Sequence, residues 1–422
     1  MSEAGAAIAD PPPIATGAAG NAPVVAARLL RSTTEAISVA HELAQTFRET
    51  ASERDRDRRL PRAEIDAFSA SGLWGITVPR KFGGLEASYA TVAEMIRIIS
   101  SADPCIGQIP QNHLGVVQAI RSTSDEPQQA LLLGAVLRGV RFGNAFSEFG
   151  SRNAGVFETT IRPAGTHASG DGYVVKGRKF YSSGALLAHL VPIAATDDQG
   201  RTMLAIAERN APGLTIVDDW SSFGQRTTAS GTVIVEDVFV PASHVVPAWR
   251  GYDQPSIDGP VAQIIQAAVD AGIAHGAIED LISFVRTKSR PWIDSGQDRA
   301  AEDLYTIRDV GDLKTRLHAA EAMLERAGRT IDETMADLRA ETVAAASIAV
   351  AEAKILTTEI AILATNKLFE LAGTRATLAE HNLDRHWRNA RTHTLHDPVR
   401  WKFHAVGQYY LNDILPPRHA WI

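Results

Sequence analysis

Residues 223–241 read FGQRTTASGTVIVEDVFVP. From Gly231 to Pro241 the residues are rich in β-branched side chains and bounded by Gly and Pro breakers, which is the pattern of a strand. This stretch ends a segment, from about Phe142 to Val246, in which the apolar period falls toward two. GYVVKGRKFYSSG and MLAIAERNAPGLTIV belong to the same segment. It predicts a small β-barrel or sandwich over residues 141–248.

On both sides the period is helical. AEIDAFSASGL and ATVAEMIRIIS, separated by the breaker-rich VPRKFGG, predict an N-terminal helical domain over residues 25–140. After Gly259 the helical pattern returns at length: Leu313, Leu317, Ala320 and Leu324 would share one face, and TVAAASIAVAEAKILTTEIAILATNKLFELAG is long and Ala-rich. Residues 249–422 are therefore expected to form a helical bundle. The chain is mainly α with a central β domain, and that order narrows the choice of fold more than any single motif. There is no internal repeat of about 20 to 50 residues to suggest a solenoid.

The net charge of −7, with Lys and Arg scattered, gives no basic stripe, so neither nucleic acid nor an anionic membrane surface is expected as a partner. Cys105 is the single cysteine. That excludes an intramolecular disulfide and a thiolate cluster, fits a reducing compartment, and reads as a small buried hydrophobe. The start, MSEAGAAIADPPPIATGAAGNAP, lacks a basic n-region and a continuous apolar core, and no apolar run reaches the roughly 18 residues of a membrane span. Residues 1–24 are expected to be a disordered Ala/Gly/Pro tail of a cytoplasmic protein.

The densest polar stretch is RNARTHTLHDP, Arg388 to Pro398. If it is helical, His393 and His396 share a face, and two imidazoles that titrate near neutral pH could exchange protons with a ligand. A hydrogen-bonded pair at a helix end is the structural alternative. A metal held by His393, His396 and Asp397 would lack a fourth ligand, and no metal is expected.

The domain order, together with GLWGITVPRKFGG (72–84), FGNAFSEFGSRNAG (142–155), residues 223–241 and DAGIAHGAIEDLISFVRTKSRPW (270–292), resembles the acyl-CoA dehydrogenase superfamily over nearly all of the chain after the tail. Within it, FYSSGA, RPW, LAGTRAT and DRHWRNARTHTLHDPVRWK resemble the flavin-dependent monooxygenase branch, close to dibenzothiophene monooxygenase and the bacterial sulfur-acquisition oxidoreductases. The resemblance implies an N-terminal helical domain, a middle β-barrel and a C-terminal four-helix bundle. It implies a homotetramer that uses reduced FMN, supplied by a separate flavin reductase, with FAD as the alternative. The implied reaction oxygenates a small organosulfur compound in sulfur acquisition through a C4a-hydroperoxyflavin.

The resemblance also implies residue roles. Asn144, Ser183 and His396 match positions around the reactive face of the isoalloxazine, and His113 in PQNHLG matches one that lines the same pocket, an assignment that rests on the resemblance alone. Trp220 would wall the flavin, although a tryptophan ending a strand also fits a core. Arg290 and Arg375 match flavin-phosphate positions, one reaching in from a neighbouring subunit, where a guanidinium offers two parallel donors. Ser183 and His396 would hold the reactive oxygens, with His396 protonating the leaving hydroxide and His393 and Asp397 orienting it.

Two other readings are expected to compete. In an FAD-dependent acyl-CoA dehydrogenase, the ungapped count from Arg388 puts Asp397-Pro398 where the superfamily's proton-abstracting glutamate stands. That aspartate is one methylene shorter, and Pro398 stiffens the turn. The other is a non-catalytic flavin-binding protein.

Overall fold

The computed structural model describes residues 24–165 and 170–422. Apart from residue 24, the tail expected at 1–24 lies outside the described residues. Six helices come first: α1 (Thr33–Asp57), α2 (Arg62–Ala70), α3 (Tyr89–Ala102), α4 (Pro104–Gln108), α5 (Pro110–Thr123) and α6 (Glu126–Leu137). Their starts are set by side-chain caps that satisfy free backbone N–H groups. Ser32 accepts from Glu35 N, Ser88 from Thr91 N, Asp103 from Cys105 N, and Asp125 from Gln128 N.

Among the described residues seven strands follow: β1 (Thr160–Pro163), β2 (Gly172–Lys179), β3 (Leu190–Thr196), β4 (Thr202–Glu208), β5 (Leu214–Ile216), β6 (Val233–Pro241) and β7 (Val245–Val246). They form one sheet of order β5-β6-β2-β1-β3-β4-β7, antiparallel except for the β1–β3 pair. Val175 of β2 and Val233 and Val235 of β6 share one buried cluster with Val191 of β3 and Ala205 of β4. Strands are spaced by about 4.8 Å, so strands this far apart in the order can meet only if the sheet curls around a common interior.

The C-terminal part contains α7 (Arg250–Asp253), α8 (Asp258–Thr287), α9 (Leu304–Ala336), α10 (Ala340–Ala372), α11 (Asp384–His393) and α12 (Arg400–Asn412). Helices α8, α9 and α10 pack together, α3 lies against α8, and α12 runs along α10. Leu313, Leu317, Ala320 and Leu324 are buried on one face of α9, as their spacing predicts. By contrast, α8 is buried on nearly all sides and so carries no polar stripe. It is long and apolar enough to cross a membrane, contrary to the expectation that no run reaches that length. In the fold, 89% of its most apolar window is buried, as in the core helix of a bundle. Its close crossing with α3 depends on glycine, because a Cβ on Gly272 would stand 2.4 Å from Ser100 Cβ and one on Gly276 2.4 Å from Ser101 O.

Candidate active site

Asn144, Ser183 and Trp220 gather at one end of the curled sheet. Gly143 permits this, because a Cβ there would stand 2.8 Å from Ala185 Cα, so the segment carrying Asn144 lies directly against the turn after Ser183. Asn144 Nδ2 donates to Tyr181 O at 3.1 Å, and Ser183 N donates to the same carbonyl at 2.9 Å. The Ser183 hydroxyl is the first of a chain, meeting Ser230 Oγ at 2.7 Å, then Thr228 Oγ1 at 2.7 Å, which donates to Gln225 O at 3.0 Å. Trp220 Nε1 donates to that same Gln225 carbonyl at 2.8 Å. The ring of Trp220 faces Tyr181 edge-on, with centroids 5.9 Å apart, and Tyr181 is 49% exposed.

Gln225 also joins this group to the C-terminal helices, because its N–H donates to Asn389 Oδ1 of α11 at 2.6 Å. One turn further along α11 stands His393. Helix α11 ends there, and His396 sits in the turn that follows, so the two histidines do not share a helical face as the spacing predicted. His393 points inward. Its Nδ1 lies 2.5 Å from Asp270 Oδ1 and its Nε2 lies 3.0 Å from Gln108 Oε1. With both ring nitrogens engaged, it cannot join His396 and Asp397 around a metal, nor orient His396 directly.

Asp270 also receives Lys354 Nζ at 2.7 Å and Thr358 Oγ1 at 3.0 Å. Burial opposes its ionisation, but the Lys354 ammonium and His393 outweigh burial and bring its pKa down to about 2. Burial pushes His393 below the usual imidazole range.

His396 has a different setting. Its side chain is 35% exposed, its Nδ1 lies 3.1 Å from Asp397 Oδ1, and its Nε2 lies 3.2 Å from Gln266 Nε2. The other Asp397 oxygen pairs with Lys402 Nζ at 3.1 Å. Burial again opposes ionisation, yet His396, Lys354 and Lys402 together hold the Asp397 carboxyl well below the usual carboxylate range. A carboxylate so stabilised is a weak base, which counts against the proton-abstracting role that the alternative reading gave it.

His113 does not line this region. It is fully buried, donates from Nε2 to Trp74 O (3.0 Å), accepts from Phe142 N at 2.9 Å, and lies edge-on to the Trp74 ring and stacked on the Phe142 ring. Since Nδ1 accepts, Nε2 carries the proton and donates to the carbonyl, and burial lowers the pKa to about 3. This is a core histidine with no nitrogen to spare. Cys105 is likewise buried, and burial raises its thiol pKa.

Arg290 and Arg375 lie near one another on the surface, after α8 and after α10. Arg375 Nη1 donates to Lys288 O at 3.2 Å, and Ser289 Oγ donates to Ala372 O at 2.9 Å. Both arginines are exposed, and neither forms an ion pair among the described residues. No hydrogen bond ties them to Asn144, Ser183, Trp220 or His396 of the same chain.

The residues present suit a heteroaromatic group with donors and acceptors on its edge. Asn144 Oδ1, Ser182 Oγ, both amide atoms of Gln225 and Gln266 Oε1 are buried and have no partner among the described residues. Such atoms are costly unless something else satisfies them. Trp220 and Tyr181 add a half-exposed aromatic face beside them. A separate cavity of about 530 Å³, lined by Thr123, Asp125, Gln128, Leu131, Ser243 and Arg250, contains none of these residues.

Sequence reasoning missed Asp270, Gln266, Lys354 and Lys402. Lys354 left a trace, a single lysine in the apolar run AVAEAKILTTE of a helix expected to be buried, where a charge must be paired.

Residues 32–140 match the acyl-CoA dehydrogenase N-terminal domain and residues 264–401 the acyl-CoA dehydrogenase C-terminal domain. The chain belongs to the acyl-CoA dehydrogenase superfamily, in its dibenzothiophene monooxygenase-like branch. It is 34% identical to dibenzothiophene monooxygenase of Rhodococcus erythropolis over 90% of this chain and 94% of that protein. It is 32% identical to a probable FMNH2-dependent monooxygenase, SfnC, of Pseudomonas putida, over 90% of this chain and 96% of that one. Among solved structures it is similar to FMN-bound TdsC from a Paenibacillus species, with a TM-score of 0.87 and 32% identity over 92% of this chain and 100% of that one.

Proposed function

We propose that this chain is a reduced-FMN-dependent monooxygenase that transfers one oxygen atom to the sulfur of a small organosulfur compound. The observation that carries this reading is the state of Asp397. At the position where a dehydrogenase of this fold needs a free carboxylate, the structure has one neutralised by Lys402 and turned to His396, which leaves the half-exposed imidazole as the group able to move a proton. The similarity to dibenzothiophene monooxygenase, to SfnC and to FMN-bound TdsC supports the cofactor and the substrate class.

Reduced flavin supplies two electrons when bound; one atom of dioxygen goes to the substrate and the other leaves as water. The protein's part is to bind, orient and protonate. Asn144 and Ser183 offer hydrogen bonds to the ring edge, Trp220 and Tyr181 offer an apolar wall, and His396 delivers a proton to the departing oxygen. Arg290 and Arg375 bind the phosphate. By the resemblance to the monooxygenase branch, the site is completed by a second copy, in a homotetramer. Trp401, Phe403, Tyr410 and Leu411 of α12, together with Leu304 and Tyr305 of α9, are exposed apolar residues suited to that contact. A separate flavin reductase provides the reduced FMN.

The test is to mix the protein with chemically reduced FMN, oxygen and a panel of sulfides, sulfoxides and sulfinates, and in parallel to add acyl-CoA thioesters to protein carrying oxidised FAD. Oxygenated sulfur product in the first arm supports the proposal. Acyl-CoA-dependent bleaching with no oxygenated product would replace it with the dehydrogenase reading.

A further inference from the structure

We propose that Lys402 is a positioning residue: it supplies the counter-charge for Asp397 and thereby leaves His396 uncharged and free to exchange a proton. The proposal rests on the reading of His396 as the proton-handling group and adds what makes that handling possible.

Asp397 is 5% exposed, and a carboxylate so buried requires a positive charge beside it. Two groups touch it, and Lys354 adds positive charge from further off. Lys402 Nζ stands 3.1 Å from Oδ2, and His396 Nδ1 stands 3.1 Å from Oδ1. Lys402 is itself 1% exposed and donates to Trp421 O at 2.5 Å, so it cannot swing out to solvent. The other charged groups nearby are already matched. Lys354 of α10 pairs with Asp270 of α8 at 2.7 Å, and Asp270 in turn holds His393 of α11. His419 is the remaining titratable group whose surroundings include Lys402. Each buried aspartate thus has one lysine in direct contact, and His396 does not have to be charged to balance Asp397.

The hydrogen bonds around His396 agree with this division. A carboxylate only accepts, so Nδ1 carries the proton toward Asp397. An amide nitrogen only donates, so Gln266 Nε2 faces an unprotonated imidazole Nε2 at 3.2 Å. Gln266 Oε1 has no partner, and turning the amide over would place it to accept from an imidazolium. The same side chain can therefore serve His396 before and after it takes a proton. Without Lys402, Asp397 would instead hold His396 as its imidazolium counter-ion, and the proton would not be released.

Diethyl pyrocarbonate tests this in protein carrying no flavin, since the reagent attacks only uncharged imidazole. The rate of modification at His396 is measured residue by residue by mass spectrometry across the range in which imidazole titrates, with exposed His404 in the same chain as reference. Lys402→Met should displace the His396 profile to higher pH by about one unit, as expected for the loss of one nearby charge, and Asp397→Asn should displace it to lower pH. Opposite displacements cannot come from loosened packing, which would speed both. An unchanged His396 profile in Lys402→Met, or displacement of both variants in the same direction, overturns the proposal. Should Lys402→Met fail to fold, the double variant Asp397→Asn/Lys402→Met, which leaves no unpaired charge, must lie above Asp397→Asn, because the same nearby positive charge is lost; a double variant that coincides with Asp397→Asn overturns the proposal equally. No flavin, oxygen or substrate is used, so the outcome is independent of whether the chain proves to be a monooxygenase.

Discussion

His393 and His396 stand three residues apart, and each faces an aspartate that faces a lysine. In the first set, His393, Asp270 and Lys354 are all nearly inaccessible, and Gln108 and Thr358 close the remaining sides. In the second, Asp397 and Lys402 are as deeply buried, but His396 is 35% exposed and its Nε2 meets only an amide. The constellation of residue types is the same. What differs is whether one imidazole nitrogen is left for a ligand. The first set ties α8, α10 and α11 together across the core; the second leaves one imidazole nitrogen partly open to solvent.

That contrast is broken most sharply at the two histidine sets themselves. His396→Ala should lower formation of oxygenated product by about 10²- to 10⁴-fold, the usual contribution of general acid catalysis, while reduced flavin still binds and oxygen is still consumed with release of hydrogen peroxide. Product and peroxide measured together check it, and proportionate loss of both would make His396 structural. Lys354→Met should act on stability instead. Removing one partner of a buried ion pair costs about 3–5 kcal/mol, so urea unfolding should move by that amount, and the ratio of product to peroxide in the protein that remains folded should fall far less than in His396→Ala.

Smaller effects are expected at the phosphate residues. Arg290→Ala and Arg375→Ala should each weaken binding of reduced FMN by about 1.5–3 kcal/mol, the range for hydrogen bonds to a charged group, with little change in unfolding. Equilibrium titration checks this, and unchanged affinity in both variants would move the phosphate elsewhere. The smallest effect is the acid dependence of the buried set. Asp270 has a folded-state pKa of about 2 against an unfolded value near 3.8, so its contribution is complete above the unfolded value and is lost as pH falls through the folded one. Between about pH 4 and pH 2 the parent should lose on the order of 2 kcal/mol more stability than Asp270→Asn, the other lowered carboxyls contributing equally to both.

Much of the fold was legible in the sequence because it depends on local period. The β-branched run between Gly231 and Pro241 is strand β6, and the spacing of Leu313, Leu317, Ala320 and Leu324 is the buried face of α9. The site was legible only in part. Ser183, Asn144, Trp220 and His396 stand out through motifs, and the structure links the first three through Tyr181 O and Gln225 O. His113 carried no local signal that it spends both nitrogens on backbone groups. The lysines were hidden for a different reason. Lys354 meets Asp270 across 84 residues, and such a pairing is set by how helices pack, which periodicity does not encode. The shared face assumed for His393 and His396 failed because α11 ends at His393, and the turn re-aims the next imidazole.

The central claim is that oxygen from dioxygen reaches the substrate's sulfur with electrons from reduced FMN. Its most direct measurement is a single turnover with reduced FMN, an organosulfur substrate and 18O-labelled dioxygen in unlabelled water, followed by mass spectrometry of the product. The account predicts one labelled oxygen atom per turnover with the parent protein and loss of that product, replaced by labelled hydrogen peroxide, with His396→Ala. Oxygen derived from water, or no oxygenated product with any organosulfur compound while an acyl-CoA bleaches oxidised flavin, would contradict it.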